Sequence, residues 1–517
     1  MSGLYLESWG TLQSSGRTCR FAVRATPYLL AIAGMLGWGP VTSAQDGLSA
    51  FSNEIEPPYL TSTLDETSTD SIAENPDAMD IRFSEMQKEL DALKSQLAAT
   101  NKQSDSLKKL TDKLSAPAAT VFPSAKLTGF FQADAGWFQQ SANSTAQLGD
   151  LHDNAGFRRA RLASVGKVAE DVSYMLEMDF AFAGRPTFMD LWVTFAKVPG
   201  LGNVRVGQYR MPFGMDELTS VKELTFLERP STQPMGPFRQ VGVGFFDTTA
   251  DENITWAAAA FRSGTNQFAN SFGDDGYGLA SRITAVAAED KHADFLIHTG
   301  LGYCLIADPN NQFRYINNPE YVGPTTGPAA TLAITDPGTP AGLGGIPPFT
   351  NTGFFAANNA NLFNGELAAT WGSWHAQSEL RFNVLNLNSG GTAVFPSFYA
   401  QTGYILTGEH RPYNKPNAVL GRVKPTNAVG KGGAGAWEVA ARFSTVDLNS
   451  AGINGGATQD ITYGLNWYLN DFTKFQFNYI DSNLSRAAGA PLGTDPLAAT
   501  QIDGRTGIFA VRCQVDF

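Results

Sequence analysis

DITYGLNWYLNDFTKFQFNYIDS, residues 460–482, reads in steps of two. Ile461, Tyr463, Leu465, Trp467 and Leu469 fall on one parity, and Asp460, Thr462, Gly464, Asn466 and Tyr468 on the other. Asn470-Asp471 makes a tight turn, after which Phe475, Phe477 and Tyr479 alternate with Lys474, Gln476 and Asn478. Successive side chains of a strand point to opposite faces, so the stretch is an antiparallel hairpin with one aromatic face and one polar face.

The same alternation runs through FRRARLASVGKV (157–168), YMLEMDF (174–180), ELRFNV (379–384) and the terminal IFAVRCQVDF (508–517). A soluble sandwich would have similar strands, so composition has to decide. Charged residues are 17% of the chain against the usual quarter, while Gly numbers 52 and Phe 35. No internal stretch approaches the roughly 18–20 apolar residues of a spanning helix. A mean hydropathy of −0.16 suits strands that hide a lipid-facing side by alternation. The expected fold is all-β: a transmembrane antiparallel β-barrel over residues 117–517. At roughly 25 residues per strand and connection, that region holds about 16 strands. The Gly/Pro/Asn-rich stretch 308–360 is expected as an outer loop, with short turns such as Asn470-Asp471 on the periplasmic side.

Residues 1–44 read as a signal peptide. Arg17, Arg20 and Arg24 precede the apolar run YLLAIAGMLGWGPV, and Thr42 and Ala44 are small residues at the cleavage positions. An uncleaved anchor helix is the alternative. Residues 45–78, acidic and rich in Ser, Thr and Pro, form a disordered linker. Over 79–116 the period changes to three and four: Phe83, Met86, Leu90, Leu93, Leu97, Thr100, Ser104, Leu107, Thr111, Leu114. This predicts a coiled-coil helix ended by Pro117, or else a single amphipathic helix lying on another surface.

Catalytic chemistry finds no foothold. Cys19, Cys304 and Cys513 are far apart, the five His lack ligand spacing, and G-x-S-x-G, P-loop and H-E-x-x-H motifs are absent from the sequence. No enzyme activity, metal or cofactor is expected, and a net charge of −12 gives no reason to expect a nucleic-acid partner. Parity places Arg159, Arg161, Lys167, Arg381, Arg442, Lys474 and Arg512 on polar strand faces, together with Glu177, Asp179, Glu438 and Asp516. Cross-strand ion pairs that stiffen the wall and direct contact with a passing ion are both open to these residues.

Several blocks in order resemble the phosphate-selective porins of the O and P type: FRRARL at 157–162, VGQYRMPFGMDELTSVKELTFLERP at 206–230, and GEHRPYN with GRVKPTN within 408–427. GAWEVAARFSTVDLN at 435–449, GLNWYLND at 464–471 and the terminal RCQVDF complete the likeness. The resemblance implies a 16-stranded outer-membrane barrel, commonly trimeric, passing small anions such as phosphate through a constricted, Arg/Lys-lined lumen. Its third outer loop would be Gly214–Gln240, carrying Lys222, Arg229 and Arg239, although Pro237-Phe238-Arg239 stands where many relatives have a Pro-Gly-Arg turn. Phe517 would be the signal read by the barrel assembly machinery. The expected partners are therefore the lipid bilayer, two further copies in a homotrimer, small anions and that machinery. The expected place is the bacterial outer membrane, with the coiled coil in the periplasm. A general-diffusion or carbohydrate porin is the alternative, as is a barrel-anchored protein that tethers the envelope through its coiled coil.

Overall fold

The computed structural model describes residues 76–115, 121–181, 186–264, 276–308, 310–323, 346–487 and 501–517. The expected signal peptide and all but the last three residues of the expected linker lie outside the described residues.

Alternation becomes sixteen long strands. The first eight are β1 (Lys126–Gln140), β2 (Asn154–Ala169), β3 (Val172–Asp179), β4 (Thr187–Val198), β5 (Gly202–Arg210), β6 (Arg239–Thr248), β7 (Ile254–Arg262) and β8 (Tyr277–Asp290). Then follow β9 (Phe295–Ala307), β10 (Phe355–Trp371), β11 (Trp374–Leu387), β12 (Thr392–Ile405), β13 (Ala436–Ser450), β14 (Ile453–Asn470), β15 (Thr473–Ala487) and β16 (Gln501–Asp516). Each pairs antiparallel with the next, and β16 returns to β1, from Phe130 opposite Asp516 to Gln140 opposite Thr506. Gly129 and Phe517 exchange backbone hydrogen bonds of 2.9 and 3.0 Å, which finishes the seam. Closure leaves no strand edge, the condition for irregularity-free spanning of lipid.

The hairpin of residues 460–482 faces as its parity requires. Ile461, Tyr463, Leu465 and Tyr479 are exposed, whereas Thr462, Asn466, Gln476 and Asn478 are buried in the interior. Trp437 stacks on Trp467 at 5.1 Å and Trp467 on Phe475 at 6.0 Å, an aromatic patch on the outer wall near one rim.

The interior is filled. At the rim opposite the β1–β16 ends, residues 211–238 fold inward between β5 and β6, as do parts of 308–354 between β9 and β10. Met211, Phe213, Met235, Phe313 and Tyr315 from these loops are buried against Ala259, Ala280, Ala357, Ala360 and Ala393 of the wall. Small wall residues leave the volume that large loop residues occupy, as close packing demands. One sector of the barrel interior is consequently a dry apolar core.

The expectation of short turns at the other rim fails at one place. Most turns there span two to five residues, but 406–435 connects β12 to β13 and enters the barrel. Tyr413–Asn414 pairs with Val419–Leu420, and Arg282 of β8 donates to Ala418 O at 2.8 Å, holding the tip. Chain length alone could not say to which rim this Gly- and Pro-rich segment belongs.

The second unit of the chain, Met1–Thr111, includes most of helix α1 (Pro76–Ser115), close to the expected 79–116.

A side chain at Gly129 would place its Cβ 2.5 Å from Arg161 O and 2.6 Å from the Phe517 ring, whereas one at Gly365 meets nothing within 4 Å. Gly129→Val should cost about 1–3 kcal/mol through overpacking of the closing seam. On unboiled SDS gels it should lose folded, fast-migrating barrel, while Gly365→Val should not. Equal behaviour of the two variants would contradict this seam.

Candidate anion conduit

The loop 211–238 is fastened to the wall by charge. It crosses β9 where Gly302 is bare: a Cβ there would lie 2.0 Å from Phe213 O. Wall carboxylates cap the short helix α2 (Met215–Leu218), with Glu366 accepting from Met215 N and Glu379 from Asp216 N, both at 2.7 Å. Glu217 on α2 pairs with Arg381 at 2.5 Å, and Arg381 also meets Glu379 at 2.6 Å. Farther along, Glu228 receives Arg158 at 3.1 Å, Arg159 at 2.7 Å and Arg512 at 2.7 Å. From the second loop, Glu320 meets Arg442 at 2.5 Å and accepts from Ser444 and Thr462. Burial alone would lift the Glu228 carboxyl, but Arg158, Arg159 and Arg512 hold it well below the usual range. Burial raises Glu217, and its single strong guanidinium partner does not reverse that.

Arg159, Arg381, Arg442 and Arg512, expected on the polar face, are thus brought into the interior and engaged by loop carboxylates. Arg512 adds a cross-strand pair with Asp134 at 2.7 Å. Arg161 pairs across the sheet with Asp179 at 2.8 Å and reaches Glu177 at 3.4 Å. Lys167 sits apart: it is exposed at the rim, and its Nζ donates to Glu170 O at 2.9 Å.

Two basic groups are less fully neutralised. In the first, Phe238 lies among three guanidinium groups, those of Arg239 at 5.0 Å, Arg229 at 5.4 Å and Arg210 at 6.0 Å from its ring centre. Arg239 is paired with Asp190 at 2.7 Å. Arg229 stands 3.6 Å from Asp216, too far for a hydrogen bond, and its Nε and one terminal nitrogen have no acceptor. Arg210 donates to Leu218 O and Thr219 O at 3.0 Å, and its Nε has no acceptor either. Buried N–H groups without acceptors are costly, and an oxyanion would satisfy them.

The second group lies near the β1–β16 rim, where Lys222, Arg422, Lys474, Glu223, Asp471 and Asp516 line one cavity. Arg422 pairs with Glu223 at 2.8 Å and with Asp516. Lys474 donates to Leu224 O at 3.0 Å. Arg411, on the inserted 406–435 segment, donates to Glu223 O, Thr225 Oγ1 and Gly421 O. Lys222 lies 5.9 Å from the Phe130 ring centre. Among the described residues, Lys222, Lys474 and Arg411 have no carboxylate partner, so that with Arg411 counted four cations stand against the three carboxylates Glu223, Asp471 and Asp516.

Arg210, Arg411, Arg422 and the loop glutamates escape a reading by parity, since they end a strand or lie in loops. Their signal was the blocks VGQYRMPFG, GEHRPYN and GRVKPTN, in which Arg411 and Arg422 stand next to Pro412 and Gly421 and Arg210 stands two residues before Pro212.

A closed sixteen-stranded barrel with an apolar outer wall and a lumen narrowed by charged inserted loops defines an outer-membrane porin. Residues 126–297 and 349–517 match the family described as phosphate-selective porin O and P, and the chain belongs to it. It is accordingly a channel of the outer membrane with a preference for small anions. The chain is 25% identical to Porin O of Pseudomonas aeruginosa, over 70% of this chain and 84% of that protein. It is also 25% identical to an uncharacterized protein of Caulobacter vibrioides, over 76% of this chain and 74% of that one. Among solved structures, OmpT, an outer membrane protein of Vibrio cholerae, aligns with a TM-score of 0.46 at 9% identity, over 77% of this chain and all of that one.

Removing one partner of a buried ion pair costs about 3–5 kcal/mol, because the other charge is left uncompensated. Glu228→Gln, which strips the shared partner from Arg158, Arg159 and Arg512, should lower the temperature at which the folded band disappears. It should also raise single-channel conductance by loosening the loop. If both quantities stayed unchanged, Glu228 would not be the clamp.

Proposed function

We propose that this channel conducts oxyanions, phosphate among them, past the two basic groups. The observation that carries the reading is the surplus of one cation, Lys222, Lys474, Arg411 and Arg422 over Glu223, Asp471 and Asp516, in the region where two inserted segments meet. Low-dielectric walls focus the field of such charges, so local surplus outweighs the acidic total. Arg229, with Arg210 and Arg239 around Phe238, would exchange charge-assisted hydrogen bonds for part of the ion's hydration. Arg159, Arg381, Arg442 and Arg512 act chiefly as clamps that set the bore, Arg161 stiffens the wall through Asp179 and Glu177, and Lys167 contributes at the rim. Movement is passive, because conduction needs contacts that admit an ion and also release it.

The wider arrangement follows from this reading. The channel works as a homotrimer, with the β1–β16 rim and helix α1 on the periplasmic side and Phe517 read by the barrel assembly machinery. The carbohydrate alternative loses its main support, because Tyr463, Trp467 and Tyr479 face outward rather than into the lumen. General diffusion requires a wider passage than a barrel interior with an apolar sector and three inserted segments offers.

The zero-current potential of the purified protein in planar bilayers under a salt gradient tests this reading. An anion-selective potential with chloride current blocked by phosphate is expected. Lys222→Glu with Lys474→Glu should cut the anion-to-cation permeability ratio roughly tenfold or more, as reversal of charge in a focused field implies. A near-zero potential without phosphate block would leave a general-diffusion pore.

A further inference from the structure

Helix α1 carries an apolar stripe that its own unit leaves open. Phe83, Met86, Leu90, Leu93 and Leu97 are between 53% and 66% exposed. In sequence the stripe steps by three and four from Phe83 to Leu114 without a slip. An undistorted α-helix drifts about 20° per heptad against a strict seven-residue repeat. Over more than four heptads the stripe would therefore turn roughly 90° away from any flat surface. A partner helix winding left-handedly around α1 is what meets it along its length. We infer that α1 is one strand of a parallel, in-register coiled coil whose other strands are copies of this chain.

Charge placement agrees with that occupant. With Phe83 at the first core position, a, of its heptad, Leu90 and Leu97 also take a, and Met86, Leu93 and Thr100 take d. Glu89 then precedes the core at g, and Lys94 follows it at e of the next heptad, the relation that pairs across a parallel seam. Within one helix they are five residues apart and do not face each other. Lys94 instead stands 3.6 Å from Asp91, an exposed pair of little strength that does not compete. Phe83, Leu90 and Leu97 are not β-branched, which removes the usual bias toward two strands. Thr100 and Ser104 put hydroxyls into the seam, so the half from Phe83 to Leu97 carries the association.

The test uses the full-length protein in its membrane, with Cys19, Cys304 and Cys513 replaced by serine and that parent as control. Single cysteines are placed at Met86→Cys, Leu93→Cys and Leu97→Cys on the seam, and at Ser95→Cys on the opposite face. Under mild oxidation the seam cysteines should cross-link about tenfold more than the Ser95 variant, because same-position core residues meet in a parallel coil. Comparable cross-linking at all four sites would mean chance collision between neighbouring barrels and would overturn the inference. So would the absence of cross-links at the seam, which would leave the stripe to a different partner. Cross-linking at one seam site alone would indicate an antiparallel crossing and equally overturn it. Glu89→Lys should reduce cross-linking through Leu93→Cys, and adding Lys94→Glu should restore it; failure to restore would remove the in-register pairing.

Discussion

The buried pairing of wall guanidinium groups with loop carboxylates holds the interior together. Arg381 with Glu217, Arg512 and Arg159 with Glu228, and Arg442 with Glu320 each join a strand to a segment far away in sequence. A loop on its own would extend into water, because its backbone polar groups need partners. Here carboxylates on the loops find fixed, planar donors on the wall, and bidentate geometry sets orientation as well as energy. The charges could not remain singly in this interior; each requires its partner. Wall and loops are therefore one electrostatic construction, and the bore is what they leave.

Apolar packing completes what the ion pairs begin. With α2 fixed by Glu366 and Glu379, Met211, Phe213 and Met235 settle against the alanine-lined side of the wall. That side becomes impermeable, because a packed apolar core admits neither water nor ions. The cavity lined by Lys222 and Lys474 lies outside that packed sector.

Much of the fold was legible in the sequence because its decisive pattern is local. Period-two alternation in residues 460–482 specified both strands, the turn and which face is wet, and all of these hold in the structure. The phase of Phe83–Leu97 likewise specified a helix. The site was less legible because its pairings are remote. Parity could put Arg381 inward, but nothing near it says that Glu217 is its partner. Nor does GEHRPYN say that Arg411 reaches Glu223 and Thr225, a relation that exists only once 406–435 has entered from the rim. Phe238, which merely departs from a turn pattern in sequence, has three guanidinium groups around it in the fold.

The clamps also resolve how an acidic chain serves anions. Each wall arginine of the clamps is matched by one or more carboxylates at 2.5–2.8 Å, and at that separation the pair presents a dipole whose field falls quickly with distance. Such pairs contribute far less to the field felt by an ion several ångströms away than the same charges would unpaired. On the reading proposed above, what it feels is the remainder, to which Lys222, Lys474 and Arg411 contribute without a carboxylate partner among the described residues. On that reading selectivity is a property of what is left unpaired, not of the total. Acidic residues are needed in number because the loops cannot be held without them, and holding the loops is what makes a few unpaired cations decisive.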